Sequence, residues 1–282
     1  MLELATIKSQ FQDDGYVVLP HLFEPELLDN VRVALGRYVH KLAQQLLAEK
    51  KVADLMEDEP FATRLFHLYQ AHINEAPRSF GKREQELHDP EFFDLFFNEH
   101  LLDLVEQLLG GEIRLYPNYQ ARPKLPGWAG TEVLWHQDGA YTGGKEVEVI
   151  ATTKMVNVWT PLVPATEDNG CMQFIPRTHR LGSVPHEHRE YYLEICQESL
   201  APWVSGAITV EMGPGDAVLF NNMLFHRGLP NKSAKIRWSL DWRYEDARQP
   251  TMRDQEGHIA RSRLDPSQAV QDAAHWSGLS FR

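Results

Sequence analysis

Cysteine is scarce in this chain: Cys171 and Cys196 are the two present among 282 residues. They form no CxxC pair, so neither a zinc ribbon nor a disulfide scaffold is indicated. Basic charge is also in deficit. Lys and Arg number 28 against 40 Asp and Glu, a net charge of -12, the reverse of the footprint expected of a nucleic-acid binder. No apolar run is long enough to span a bilayer, and the opening MLELATIKSQF lacks a basic segment followed by an apolar one. No internal repeat or low-complexity segment interrupts the chain. What remains is an ordinary globular composition, 43% hydrophobic, long enough for a sizeable core and expected to be cytoplasmic, as a monomer or homodimer.

The texture changes once along the chain. Residues 1–110 read as a mainly helical flank. Within it, Tyr16 to Leu19 suggests one early strand. Pro25 stands at a first helical position, before Leu27, Leu28, Val31, Ala34, Leu35, Tyr38 and Leu42 at helical spacing. A second helix is predicted from Asp89-Pro90, with Asp89 as N-cap, through Phe96 and Leu104 to Gly110-Gly111. Residues 111–248 instead carry short β-rich runs: Ile113–Gln120, Val133–Gln137, Lys154–Thr160, Cys171–Ile175, Ala217–Phe225 and Ile236–Tyr244. Turns such as Asp168-Asn169-Gly170 separate most of them. Many short strands without interleaved helices indicate an antiparallel sandwich or barrel. Residues 183–203 read as a partly helical insertion and 249–282 as an irregular tail, all within one domain, 1–282.

In LWHQDG, His136 and Asp138 are two positions apart. On a strand they would share a face and converge on one ion; equally, they suit the end of a solvent-facing strand. Imidazole with carboxylate suits Fe(II), Mn(II) or Zn(II). Among the other histidines, His186 and His188 in VPHEHRE lie in a charged helical or loop stretch and read as surface residues. His226 closes the apolar run AVLFNNMLFHRG, at the mouth of the expected barrel. Two histidines and one carboxylate form the facial triad of non-haem iron oxygenases, which leaves coordination positions open. Such an oxygenase using 2-oxoglutarate needs a cation for the far carboxylate, and arginine offers two parallel hydrogen bonds. In KIRWSLDWRY, alternation puts Arg237, Ser239, Asp241 and Arg243 on one face. Arg237, eleven residues after His226, is placed on the neighbouring strand; pairing with Asp241 is the alternative.

Three ordered stretches carry a resemblance: WHQD, NVWTPLVPATEDNGCMQFIPRTHR and PGDAVLFNNMLFHRGLPNKSAKIRWSLDWRY. With the opening DDGYVVLPHLFEPELLDNVRVAL, they resemble the phytanoyl-CoA dioxygenase family of Fe(II)/2-oxoglutarate dioxygenases, which includes ectoine hydroxylases. The resemblance implies a mainly β fold, a double-stranded β-helix (a jelly-roll or cupin-like barrel) with peripheral helices. It also implies Fe(2+) held by His136, Asp138 and His226, with 2-oxoglutarate and O2 as co-substrates and Arg237 on the C5 carboxylate. Trp159 falls at an aromatic position near the co-substrate. Gln120, Arg122 and Lys124, in YQARPKLPGW, fall near positions that contact substrate or co-substrate, and Lys124 is a candidate for the C1 carboxylate. Gly228 stands where a serine is common, and PRTH replaces PGSH. Related halogenases lack the carboxylate that Asp138 retains, so the implied reaction is hydroxylation of a small molecule, with desaturation, cyclisation, epimerisation or a non-catalytic metal barrel as alternatives. Tyr141, in the Gly-rich loop 139–149, is a candidate substrate contact, and that loop a candidate lid. No Lys/Arg cluster in the sequence suggests a coenzyme A phosphate site.

Overall fold

The computed structural model describes residues 3–82, 86–142 and 153–280. Its strands, in chain order, are β1 (Tyr16–Leu19), β2 (Glu112–Leu115), β3 (Gln120–Lys124), β4 (Val133–His136), β5 (Met155–Pro161), β6 (Met172–Ile175), β7 (His186–His188), β8 (Leu193–Ile195), β9 (Ile208–Val210), β10 (Ala217–Asn221), β11 (Phe225–Gly228), β12 (Arg237–Asp246) and β13 (His258–Ser262). A large antiparallel sheet runs β1-β10-β5-β12-β2-β13, with β3 also pairing with β12. A smaller one runs β4-β11-β6-β9. Their facing sides meet in a cluster that includes Tyr16, Trp159, Phe174, Val218 and Phe220. This is the jelly-roll arrangement of two packed sheets. Among the described residues no ladder joins one sheet to the other, so the two halves close by side-chain packing.

The 24-residue helix Pro25–Ala48 starts with proline at its first turn and buries Leu28, Val31, Leu35, Val39 and Leu46 at helical spacing. It joins the helix Glu99–Leu109 in covering the outer face of the large sheet, where Trp238, Leu240, Trp242 and Tyr244 of β12 are fully buried. The alternate residues of β12 therefore point inwards, and this sheet is buried on both sides.

Several expectations need correction. The second helix is not continuous from Asp89. A short turn, Pro90–Phe92, and a helical turn, Phe93–Phe96, precede Glu99–Leu109, whose N-cap is Asn98. The Asp89 carboxylate is occupied elsewhere, accepting hydrogen bonds from Arg37 and from the Tyr38 hydroxyl. The predicted strand 113–120 breaks into β2 and β3 around Pro117, since proline has no N–H to donate to a ladder. The run 217–225 also divides: a turn at 222–224 sends the chain from β10 in one sheet to β11 in the other. Residues 183–203 are mainly a β7–β8 hairpin, with one short helix, Gln197–Leu200. The tail adds edge strand β13 and buries Trp276. The lid expected over 139–149 is described only as the helical turn Gly139–Thr142; residues 143–149 lie outside the described residues.

Candidate metal centre and its pocket

His136 ends β4 and lies directly opposite His226 of β11 in the ladder, with ring centroids 4.0 Å apart. Each ring is oriented in the same way. Nδ1 of His136 donates to the Leu134 carbonyl at 2.8 Å, and Nδ1 of His226 donates to the Leu224 carbonyl at 2.9 Å. A carbonyl only accepts, so Nδ1 holds the proton and Nε2 presents a lone pair, the tautomer a metal ligand needs. Both lone pairs face Asp138 Oδ1, at 3.2 Å from His136 and 3.7 Å from His226. One donor atom from each of the three buried residues falls within 4.8 Å of the others. Burial pushes the His226 imidazole down to about 3, with the neighbouring His136 adding to the effect, so His226 is neutral and ready to ligate.

Asp138 is not on the strand, as the simple i, i+2 argument assumed. It lies past the end of β4 and opens the turn into Gly139–Thr142, its carbonyl accepting from Tyr141 N and Thr142 N. Its carboxylate is aimed by a residue that the sequence did not single out. Arg243 Nη2 donates to Asp138 Oδ2 at 2.5 Å, and the two side chains are 4% and 7% exposed. Burial alone would raise the Asp138 pKa. The Arg243 guanidinium, with the two histidines, holds it well below the usual carboxylate range. Gln137, between the ligands, faces away: its amide donates to the Gly182 and Met223 carbonyls and accepts from Val184 N. His186 is not a free surface group either. It sits on β7 with Nε2 accepting from Gln137 N at 3.2 Å, so it braces the motif from behind, while His188 is exposed.

The triad opens onto a cavity of about 490 Å³. Arg237 projects into it from the opposite sheet, not from a strand neighbouring β11 as expected, since β12 pairs with β2, β3 and β5. Nor does it pair with Asp241, whose carboxylate receives Arg122 and Arg243. Arg237 Nε donates to the Gly170 carbonyl at 3.2 Å, Nη1 donates to Ser239 Oγ, and the guanidinium stacks 5.2 Å from the Trp159 ring centre. Lys124, opposite Arg237 in the β3–β12 register, donates to the Thr131 carbonyl at 2.9 Å. It stands beside Arg237 and not among the metal donors, the end where a C1 carboxylate would chelate. Gly228 explains the neighbourhood. A Cβ there would lie 3.4 Å from Lys124 Nζ and 3.8 Å from Arg237 Nη2, so the lysine ammonium occupies the region a serine side chain would enter.

Arg237 and Lys124 are thus two buried cations, 3% exposed each, with no carboxylate partner among the described residues. Burial pushes Arg237 down to about 10, and burial together with Arg237 holds Lys124 well below the usual ammonium range. Such a pair is incomplete without an anion. Gln120 and Arg122 line the wall between, Gln120 bonded to Asn118. The Tyr141 ring stands edge-on to His136, and its hydroxyl accepts from Leu193 N at 2.8 Å. Among the described helices, none is long and apolar enough to cross a membrane.

The phytanoyl-CoA dioxygenase (PhyH) family model matches residues 11–239. A probable phytanoyl-CoA dioxygenase of Caenorhabditis elegans is 24% identical over 66% of this chain and 66% of its own length. The 1-deoxypentalenic acid 11-beta-hydroxylase of Streptomyces arenae is 28% identical over 58% of this chain and 60% of its own. The chain therefore aligns with less than two thirds of these relatives' length. Among solved structures, EctD from S. alaskensis with 2-oxoglutarate and 5-hydroxyectoine superposes with a TM-score of 0.61 at 22% identity, covering 92% of this chain and 81% of that one. The non-heme alpha ketoglutarate dependent epimerase SnoN from nogalamycin biosynthesis gives 0.54 at 18% identity, covering 86% and 83%. Both share the two-sheet fold. On the extent of the family match, this chain belongs to the phytanoyl-CoA dioxygenase family.

Proposed function

We propose that this protein is a non-haem Fe(II)- and 2-oxoglutarate-dependent dioxygenase that hydroxylates a small molecule. The observation that carries the reading is one cavity with two complementary ends. One holds three buried donors, His136, Asp138 and His226; the other presents the buried cation Arg237, with Lys124 beside it. Two imidazoles and a carboxylate suit Fe(II) and leave positions open. Bound there, iron would supply the activation of dioxygen; the overall balance is R–H, 2-oxoglutarate and O2 giving R–OH, succinate and CO2.

The chain's own residues do the rest. Arg237 holds the far carboxylate of 2-oxoglutarate, Lys124 beside it adds positive potential, and the Trp159 ring faces the guanidinium. Arg243 orients Asp138, and the Leu134 and Leu224 carbonyls fix the two imidazoles. Retention of a carboxylate at Asp138 supports hydroxylation over halogenation.

An anaerobic titration with Fe(II) and 2-oxoglutarate tests this. The expected result is a weak visible absorption band that saturates at one equivalent and is lost in His226→Ala. A folded wild-type protein that gives no band refutes the proposal.

A further inference from the structure

The cavity carries more positive charge than the proposed co-substrate uses. Its described lining has five cations, Lys82, Arg122, Arg237, Arg243 and Arg253, against two anions, Asp138 and Asp241, an excess of three in a chain whose net charge is -12. Fe(II) and the 2-oxoglutarate dianion cancel each other, so the excess persists when both are bound. Asp241 is taken by Arg122 and Arg243, and Asp138 by Arg243. Lys82 and Arg253 make no ion pair among the described residues, and both remain open to solvent. Both line the one cavity. Partial burial, with the guanidinia of Arg122, Arg78 and Arg253, pushes the Lys82 pKa down against the opposing pull of Asp241, as expected where cations outnumber anions.

The sequence shows no such cluster, because Lys82 and Arg253 lie on opposite sides of the strand-rich region and only the fold brings them together. The β7–β8 hairpin also contributes Tyr191 and Tyr192 to the lining. Arg78 stacks 4.0 Å from the Tyr191 ring centre, and the Tyr192 hydroxyl donates to the Gly130 carbonyl at 3.0 Å. These contacts fix two amphipathic aromatic rings in the same lining as the cations, which suits a ligand with an apolar body and a charged end.

We infer that the substrate is an anion whose carboxylate or phosphate docks on Lys82 and Arg253, with its apolar body along Tyr191 and Tyr192 pointing towards the triad. The inference rests on the dioxygenase reading for where oxidation occurs, but binding can be tested apart from it.

The test uses the protein loaded anaerobically with Fe(II) and 2-oxoglutarate, the absorption band reporting the metal centre independently. Three matched probes are titrated by calorimetry: 4-phenylbutyrate, 4-phenylbutyl phosphate and neutral 4-phenylbutanamide. At least one anion is expected to bind about tenfold or more tightly than the amide, with the difference shrinking as salt rises. Whichever anion binds better identifies the headgroup. The double variant Lys82→Gln/Arg253→Gln should lose that preference, keep the amide's affinity and keep the band. Equal binding of all three probes, no binding of either anion, or an unchanged anion preference in the double variant overturns the inference. Loss of the wild-type band would instead count against the dioxygenase reading.

Discussion

Replacing Arg243 with methionine removes the cation from a carboxylate that, among the described residues, has no other full positive charge in contact with it. The pair is 2.5 Å apart, and its side chains are 4% and 7% exposed, so water in the cavity replaces only part of the solvation that the guanidinium provides. The histidine nitrogens nearest Asp138 offer lone pairs, because both Nδ1 atoms are committed as donors; without a metal they do not compensate. Removing one partner of a buried pair costs about 3–5 kcal/mol. At about 2–4 °C per kcal/mol for chains of this size, the metal-free melting temperature should fall by about 6–20 °C. Differential scanning calorimetry of chelator-treated protein measures it. Pairing the change with Asp138→Asn separates electrostatics from packing. With no carboxylate left to strand, Arg243→Met should then cost less than it does alone, giving a coupling of about 3 kcal/mol in a double-mutant cycle. A single variant that melts with the wild type, or two changes that simply add, would refute this role for Arg243.

Three further outcomes follow from the site. Arg237→Gln should weaken 2-oxoglutarate binding by about 30-fold or more, the effect of about 2 kcal/mol for truncating a buried charge partner, while calorimetry shows divalent-metal affinity little changed. Gly170→Ala should destabilise by about 2–4 kcal/mol in urea unfolding, since its φ is +93° and a Cβ would meet the Leu229 carbonyl at 2.4 Å; it should also weaken 2-oxoglutarate binding, because the Gly170 carbonyl holds Arg237 Nε. His88, pushed down to about 4 by burial, is neutral in the fold and protonated in the unfolded chain below about pH 6.5. The unfolded state then binds more protons, so stability falls as pH drops from 6.5 towards 4, by roughly 3 kcal/mol from this residue. Glu245, raised to about 7 by burial, acts in the opposite sense between pH 4.5 and 7, so the His88→Gln variant, whose stability should depend less steeply on acid, isolates the histidine by denaturant unfolding at each pH.

What the sequence made legible was periodicity. The alternation in KIRWSLDWRY correctly separates Trp238, Leu240 and Trp242, packed under the helices, from Arg237, Asp241 and Arg243, facing the cavity. Arg243 could have been noticed there, but its partner Asp138 is 105 residues away, and no local pattern encodes that pairing. His226 reads as the end of one apolar strand because Asn221 to Leu224 gives little warning that the chain crosses between sheets. The hairpin at 186–195 escaped for a related reason: β7, His-Glu-His, is polar and mostly exposed, and the three-residue Leu-Glu-Ile of β8 is too short for its alternation to stand out. The tail's β13 is pinned by ion pairs, Arg261 with Asp103 and Glu106, more than by a hydrophobic signal of its own. The Lys82–Arg253 cluster is a product of tertiary structure alone.

The most direct measurement is the fate of dioxygen. Protein loaded with Fe(II) is supplied with 2-oxoglutarate under ¹⁸O₂, with ascorbate as the two-electron reductant in place of R–H, and the succinate formed is analysed by mass spectrometry. Succinate carrying one ¹⁸O atom, produced by the wild type and absent with His226→Ala, is the expected result. Folded, iron-loaded protein that consumes no 2-oxoglutarate, or succinate formed without the label, would contradict the assignment of this cavity as a dioxygenase site.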